Sequence, residues 1–181
     1  MTEWITSIDF SVLYWIQNTL RCGFLDFLVP KITFLGNAGM IWLIIAGCLL
    51  FTKKYRRTGI LLLAGLAVGL LAGNVLLKNL IGRPRPCWID PAVQLLVSVP
   101  KDYSFPSGHT LSSVIAATVL TFSDRRFGYA AVPLAALIAL SRLYLFVHFP
   151  TDVLFAAALG FLIGAAVWKG GNRLLNLTGK I

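Results

Sequence analysis

A histidine, an arginine and an aspartate stand between two apolar stretches in the run Ser141-Arg142-Leu143-Tyr144-Leu145-Phe146-Val147-His148-Phe149-Pro150-Thr151-Asp152. A charge near bilayer depth costs ~2.5–3.5 kcal/mol on insertion scales, so each should face protein or a wet cavity. Pro150 suits the first turn of a new helix, where its missing N–H would be unpaired anyway. His148 then precedes that helix. Asp152, four residues on, can reach back to the imidazole. A carboxylate on one ring nitrogen fixes the tautomer and frees the other nitrogen to attack or to accept a proton. Arg142, about one and a half helical turns earlier, supplies a positive fork suited to phosphate.

Two further groups carry similar chemistry. Lys78 is followed by Asn79-Leu80-Ile81-Gly82-Arg83-Pro84-Arg85-Pro86, where the prolines stiffen the chain around Arg85 as an anion clamp requires. Pro106-Ser107-Gly108-His109-Thr110 opens an apolar run. A helix starting there presents free N–H groups and a positive dipole end to an anion, and Gly108 lets the backbone approach closely. His109 stands in the first turn. Each residue also has an ordinary alternative. Asp152 favours a helix N-terminus, Ser107 is a helix N-cap, and Arg142 and Lys78 can snorkel to headgroups. The two histidines of the chain, however, both fall at ends of apolar runs.

The elements that must hold these residues are membrane helices. The 181 residues are 57% hydrophobic and 13% charged, with a mean hydropathy of +0.80, which indicates a multi-pass membrane protein of one domain. Cys22, Cys48 and Cys87 have neither metal spacing nor a disulfide pattern. Residues 4–20 show helical spacing of Trp4, Ile5, Ile8, Val12, Trp15, Ile16 and Leu20, with Asp9, Gln17 and Asn18 elsewhere. Residues 1–31 are therefore expected as amphipathic interfacial helices, with Pro30 and Lys31 spoiling a span. Crossings follow at 32–52, 58–77, about 109–122, 127–147 and 153–168, so an all-α bundle of five spans, or six if the N-terminal part hides one, occupies residues 32–169.

The loops at 53–57 and 124–126 and the tail after 168 (Lys169, Arg173, Lys180) hold nine basic residues and one acid, Asp124. The other side has seven basic and six acidic residues. The positive-inside bias puts the first group in the cytoplasm and the motifs on the outer face of the plasma membrane. The +9 formal charge is thus explained without nucleic acid. The sequon Asn176-Leu177-Thr178 falls on the cytoplasmic side and is discounted.

Taken jointly, Lys78-x6-Arg85-Pro86, Pro106-Ser107-Gly108-His109 and Ser141-Arg142-x5-His148-x3-Asp152 resemble the three-part signature of the type 2 phosphatidic acid phosphatase family, whose wider group includes bacterial acid phosphatases and vanadium haloperoxidases. The resemblance covers residues 78–152. It implies that His148 attacks phosphorus to form a phosphohistidine, with Asp152 orienting it. It implies that His109 protonates the departing oxygen and then activates water. Lys78, Arg85 and Arg142, with Ser107 and the Gly108 N–H, would hold the phosphoryl oxygens. With three fixed cations and no ligand cluster, no metal or other cofactor is expected. A site at membrane level suits a lipid phosphate, and the family suggests undecaprenyl diphosphate or a phosphatidate-like or phosphatidylglycerophosphate-like lipid. A lipid phosphotransferase on the same scaffold is the alternative. A non-catalytic transporter is disfavoured because the charges cluster at one level. The sequence is silent on oligomeric state.

Overall fold

The computed structural model describes residues 3–177; Lys180, and Thr178 of the sequon, lie outside the described residues. Every regular element among them is helical, and none of these residues forms a strand. In order they are α1 (Glu3–Thr19), α2 (Gly23–Leu35), α3 (Met40–Leu50), α4 (Arg56–Gly69), α5 (Lys78–Ile81), α6 (Pro86–Ile89), α7 (Gly108–Ser123), α8 (Arg125–Tyr144) and α9 (Pro150–Leu177). A π-helical stretch, Leu70–Leu77, joins α4 to α5. Arg56–Ile89, Arg125–Tyr144 and Pro150–Leu174 are each long and apolar enough to cross a membrane. The pair Gly23–Leu35 and Asn37–Leu50 makes a fourth such stretch if its 45° bend is counted within one span.

The centre is α7. Its 16 residues make the helix about 24 Å long. Thr110, Leu111, Ser113 and every residue from Ile115 to Leu120 are buried, because α4, α8 and α9 pack around it. A helix enclosed on all sides needs no lipid-facing stripe, so α7 can carry polar residues. Small residues on its neighbours make the enclosure tight. Gly65, Gly69 and Gly73 repeat every fourth position, and a Cβ at any of them would come within 2.9 Å of Ile115 or Leu111. Close approach over small residues is how membrane helices gain packing contacts without a hydrophobic drive.

The basic loops gather at one end of the bundle, as the charge pattern predicts. Tyr55 Oη donates to Asp124 Oδ2 at 3.1 Å, Thr58 and Ser123 share a hydroxyl contact at 2.5 Å, and Arg57 donates to the Asn172 carbonyl at 2.6 Å.

The N-terminal part differs from expectation. α2 runs unbroken through Pro30 and Lys31, so the boundary expected at residue 31 falls inside a helix. The break comes at 36–39, where Ala38 (φ 51°) and Gly39 (φ 69°) take left-handed backbone and split the stretch expected as one span. The apolar stripe read on α1 faces mostly outward, with Trp4 72% and Trp15 56% exposed; of its members Ile16 alone is buried. The inward face is Asp9, Leu13 and Ile16. Leu13 and Ile16 pack with Leu143–Val147 and Phe149. Asp9 faces in because a buried arginine awaits it.

Candidate active site

Local structure first fixes His148. α8 ends at Tyr144, and Phe146 turns the chain with φ 56°, allowing the Val147 N–H to donate to the Arg142 carbonyl at 3.2 Å. α9 starts at Pro150, leaving His148 in a buried turn between two helices. Its Nδ1 faces Asp152 Oδ2 at 3.6 Å and Ser104 Oγ at 3.4 Å. Its Nε2 faces Arg85 Nη1 at 3.0 Å. Arg85 lines a cavity of about 870 Å³, whereas Ser104 and Asp152 do not, so Nε2 is the nitrogen on the cavity side.

Asp152 is held from both sides. Oδ2 accepts from the Ser104 hydroxyl at 2.5 Å and from the Phe149 N–H at 2.9 Å, while Oδ1 accepts from Arg83 Nη1 at 2.5 Å. The direct histidine–aspartate bond expected from their spacing is therefore a longer contact, with Ser104 beside both groups.

The same cavity is lined by Lys78, Arg85, Gly108, His109, Arg142 and His148. The π-helical stretch leads directly into Lys78, the first residue of α5. Arg85 is fixed by its Nε to the Asp102 carbonyl at 2.7 Å and by Nη1 to the Val147 carbonyl at 2.6 Å. Arg142 donates to Thr33 Oγ1 at 2.5 Å, and its buried Nε has no partner among the described residues. A guanidinium N–H left unpaired beside a cavity invites an anion. His109 Nε2 meets Asn37 Oδ1 at 2.9 Å, in the bend between α2 and α3. Gly108 leaves no room for a side chain, since a Cβ there would lie 2.9 Å from Asn74 Oδ1.

Asp102 bridges two of the cations. It pairs with Lys78 Nζ and, at 2.8 Å, with Arg85 Nη2. Partial burial opposes its ionisation, but Lys78 and Arg85 outweigh that and bring its pKa from 3.8 down to about 2. In the turn between helices, His148 is held well below 6.5, first by burial and then by Arg85, Arg142, Lys78 and His109. It is therefore neutral near pH 7, as a nitrogen nucleophile must be.

Seven of the eight residues singled out from sequence meet at or directly behind this cavity: Lys78, Arg85, Gly108, His109, Arg142 and His148 line it, and Asp152 backs His148. Ser107 is set back. It occupies the N-cap position of α7, but its hydroxyl makes no capping bond and instead accepts from Thr110 at 3.0 Å, while its N–H reaches the Asp152 carbonyl at 3.4 Å. Sequence reasoning did not single out Ser104, Arg83, Asp102, Asn37 or Thr33. Arg83, Asp102 and Ser104 lie within a few residues of the motifs, which was the available signal. Asn37 and Thr33 come from a remote stretch and had none. Among the described residues no group of three His, Cys, Asp or Glu side chains could hold a metal ion.

Three fixed cations and two imidazoles thus share one cavity in a helical membrane protein. The model of the PAP2 superfamily matches residues 58–175, and the chain belongs to that superfamily. It is 33% identical over 126 residues to an undecaprenyl-diphosphatase of Sulfolobus acidocaldarius, covering 69% of this chain and 59% of that one. It is 39% identical over 136 residues to a decaprenylphosphoryl-5-phosphoribose phosphatase of Mycobacterium tuberculosis, covering 73% of each. Among solved structures, the PAP2-type phosphatidylglycerolphosphate phosphatase of Bacillus subtilis superposes with a TM-score of 0.78 at 29% identity, over 96% of this chain and 89% of that one.

Proposed function

We propose that this protein is a membrane lipid phosphatase working through a phosphohistidine. One observation carries the proposal: Lys78, Arg85, Arg142, the start of α7 and both histidines line a single cavity. Much of the remaining lining is apolar, including Phe34, Leu43, Leu63, Leu66 and Leu70. A phosphate fits the polar end while an acyl or prenyl tail lies along the apolar walls and in the bilayer.

The phosphoryl oxygens bind Lys78, Arg85, Arg142 and the free N–H groups of the first turn of α7. His148 Nε2 attacks phosphorus, and the P–O bond to the lipid breaks in line. His109 gives its proton to the departing oxygen. The imidazolium now carries the phosphoryl group on Nε2, and its Nδ1–H faces Ser104 and Asp152. His109 then takes a proton from a water that attacks phosphorus, which releases phosphate and restores Nε2. Ser107 ties α7 to the Asp152 turn and so holds the two histidines in one frame.

The positive-inside bias supports a site on the outer face of the plasma membrane, with α7 as a short central crossing. The substrate class is a polyprenyl diphosphate or a phosphatidate-like or phosphatidylglycerophosphate-like lipid. The named relatives that act on prenyl and glycerolipid phosphates support that range. The test is phosphate release from a panel of such lipids by detergent-purified protein. Turnover is expected from the wild type and none from His148→Ala of unchanged melting temperature. Retained turnover in that variant removes His148 as nucleophile.

A further inference from the structure

Lys78, Arg83 and Arg85 share one short segment, but Arg83 does not line the cavity. It is 7% exposed and sits behind the nucleophile. Its Nη1 donates to Asp152 Oδ1 at 2.5 Å and to Thr151 Oγ1 at 2.8 Å, and its Nη2 donates to Asp9 Oδ2 at 2.7 Å. The guanidinium carbon lies 3.9 Å from the Phe149 ring centroid. Asp9, 1% exposed, comes from α1 and also accepts the Thr151 N–H at 3.0 Å and hydroxyl at 2.6 Å.

This arrangement does two things. Oδ1 of Asp152 is occupied by Arg83, so the carboxylate has one orientation, with Oδ2 turned to His148 Nδ1. The formal charges of Asp9, Arg83 and Asp152 sum to one negative. A neutral His148 leaves that charge unbalanced, and the imidazolium formed when Nε2 bonds to phosphorus balances it. With Asp9 absent, Arg83 would pair with Asp152 alone and cancel the charge that the imidazolium needs. Burying three charged groups is costly and is weak evidence of stabilisation, so a role in the reaction is the better account.

We propose that Arg83 is a positioning residue for the nucleophile, and that Asp9 sets how much of the Asp152 charge Arg83 leaves available to His148. The inference rests on His148 being the attacking residue. The other groups facing His148 are Arg85 and Lys78 from the segment after α4, His109 from α7 and Arg142 from α8, and all stay in place in the variants below.

The experiment compares Asp9→Asn, Arg83→Met, Arg83→Lys and His148→Ala as full chains in detergent. Phosphate release is measured across pH, with melting temperature and inhibition by inorganic phosphate as checks on the fold and the cation pocket. Asp9→Asn and Arg83→Met should each lower kcat roughly ten- to a hundredfold, as losing one charge-assisted hydrogen bond in the transition state does. KM and phosphate inhibition should stay within about twofold, since the pocket cations are untouched. The acid limb of kcat/KM should move in opposite directions: to lower pH in Asp9→Asn, where Arg83 now cancels Asp152, and to higher pH in Arg83→Met. Arg83→Lys keeps the charge but not the fork, and should hold the wild-type limb with intermediate kcat.

Folded Asp9→Asn and Arg83→Met with unchanged kcat and unchanged acid limb would leave the pair merely structural and overturn the proposal. Limbs that move the same way would also overturn it. If Arg83→Met does not fold, Asp9→Asn and Arg83→Lys decide: an unshifted limb in the first or full kcat in the second overturns it. An inactive His148→Ala beside unaffected pair variants sinks this inference alone, whereas an active His148→Ala removes the nucleophile and this inference together.

Discussion

Replacing Asp102 by asparagine should tighten the protein's grip on phosphate. The Asp102 carboxylate now pairs with Lys78 and Arg85, the two cations an incoming phosphate needs. Phosphate must displace it or share those cations. The fall of the Asp102 pKa from 3.8 to about 2 reflects that attraction after the opposing effect of burial. At face value it corresponds to about 2.5 kcal/mol. The side chain is 56% exposed, so solvent screening brings the figure to about 1 kcal/mol. Asparagine keeps the shape and the backbone carbonyl that holds Arg85 Nε but removes the charge. The inhibition constant of inorganic phosphate should therefore fall about fivefold, with KM for lipid moving the same way. Competition assays against a lipid phosphate, at constant ionic strength, read both. Phosphate binding that is unchanged or weaker in a folded Asp102→Asn protein would refute the reasoning, because Asp102 would then be holding the cations in place rather than competing for them.

Three further outcomes are expected. Ser104→Ala removes a hydroxyl that donates to Asp152 and lies 3.4 Å from His148 Nδ1, all buried; kcat should fall about ten- to a hundredfold with little change in KM, read from steady-state phosphate release. Because His148 is held well below 6.5 in the folded protein, the unfolded chain binds its proton first on acidification. Stability should thus decline as pH falls below 6.5, and melting curves of His148→Asn should show a flatter dependence. A Cβ at Gly160 would meet the Leu111 carbonyl oxygen at 3.0 Å, a backbone atom that cannot swing away, so Gly160→Ala should cost about 1–3 kcal/mol and lower the melting temperature.

Much of the site was legible because its chemistry is local in the chain. Pro150 starting a helix and Asp152 one turn beyond His148 follow from spacing alone, and α9 begins where that spacing predicts. Gly108 and His109 open a helix for the same reason. The apolar runs marked the helices, and the basic loops did gather at one end. The N-terminal part was less legible. Pro30 and Lys31 looked like a break, yet α2 absorbs them, and the chain bends at Ala38 and Gly39 instead.

Hydropathy and spacing therefore determined that the chain is a helical membrane bundle with its ionisable residues near the ends of its helices. With the family resemblance they also picked out residues that line or back one cavity, because those residues recur at helix starts and ends where local backbone rules apply. Only tertiary structure decided what backs each one: Arg83 and Asp9 behind Asp152, Asp102 across Lys78 and Arg85, Thr33 on Arg142 and Asn37 on His109. Such partners come from helices distant in the chain. No periodicity records which buried charge will meet which, because the pairing is set by how the helices pack.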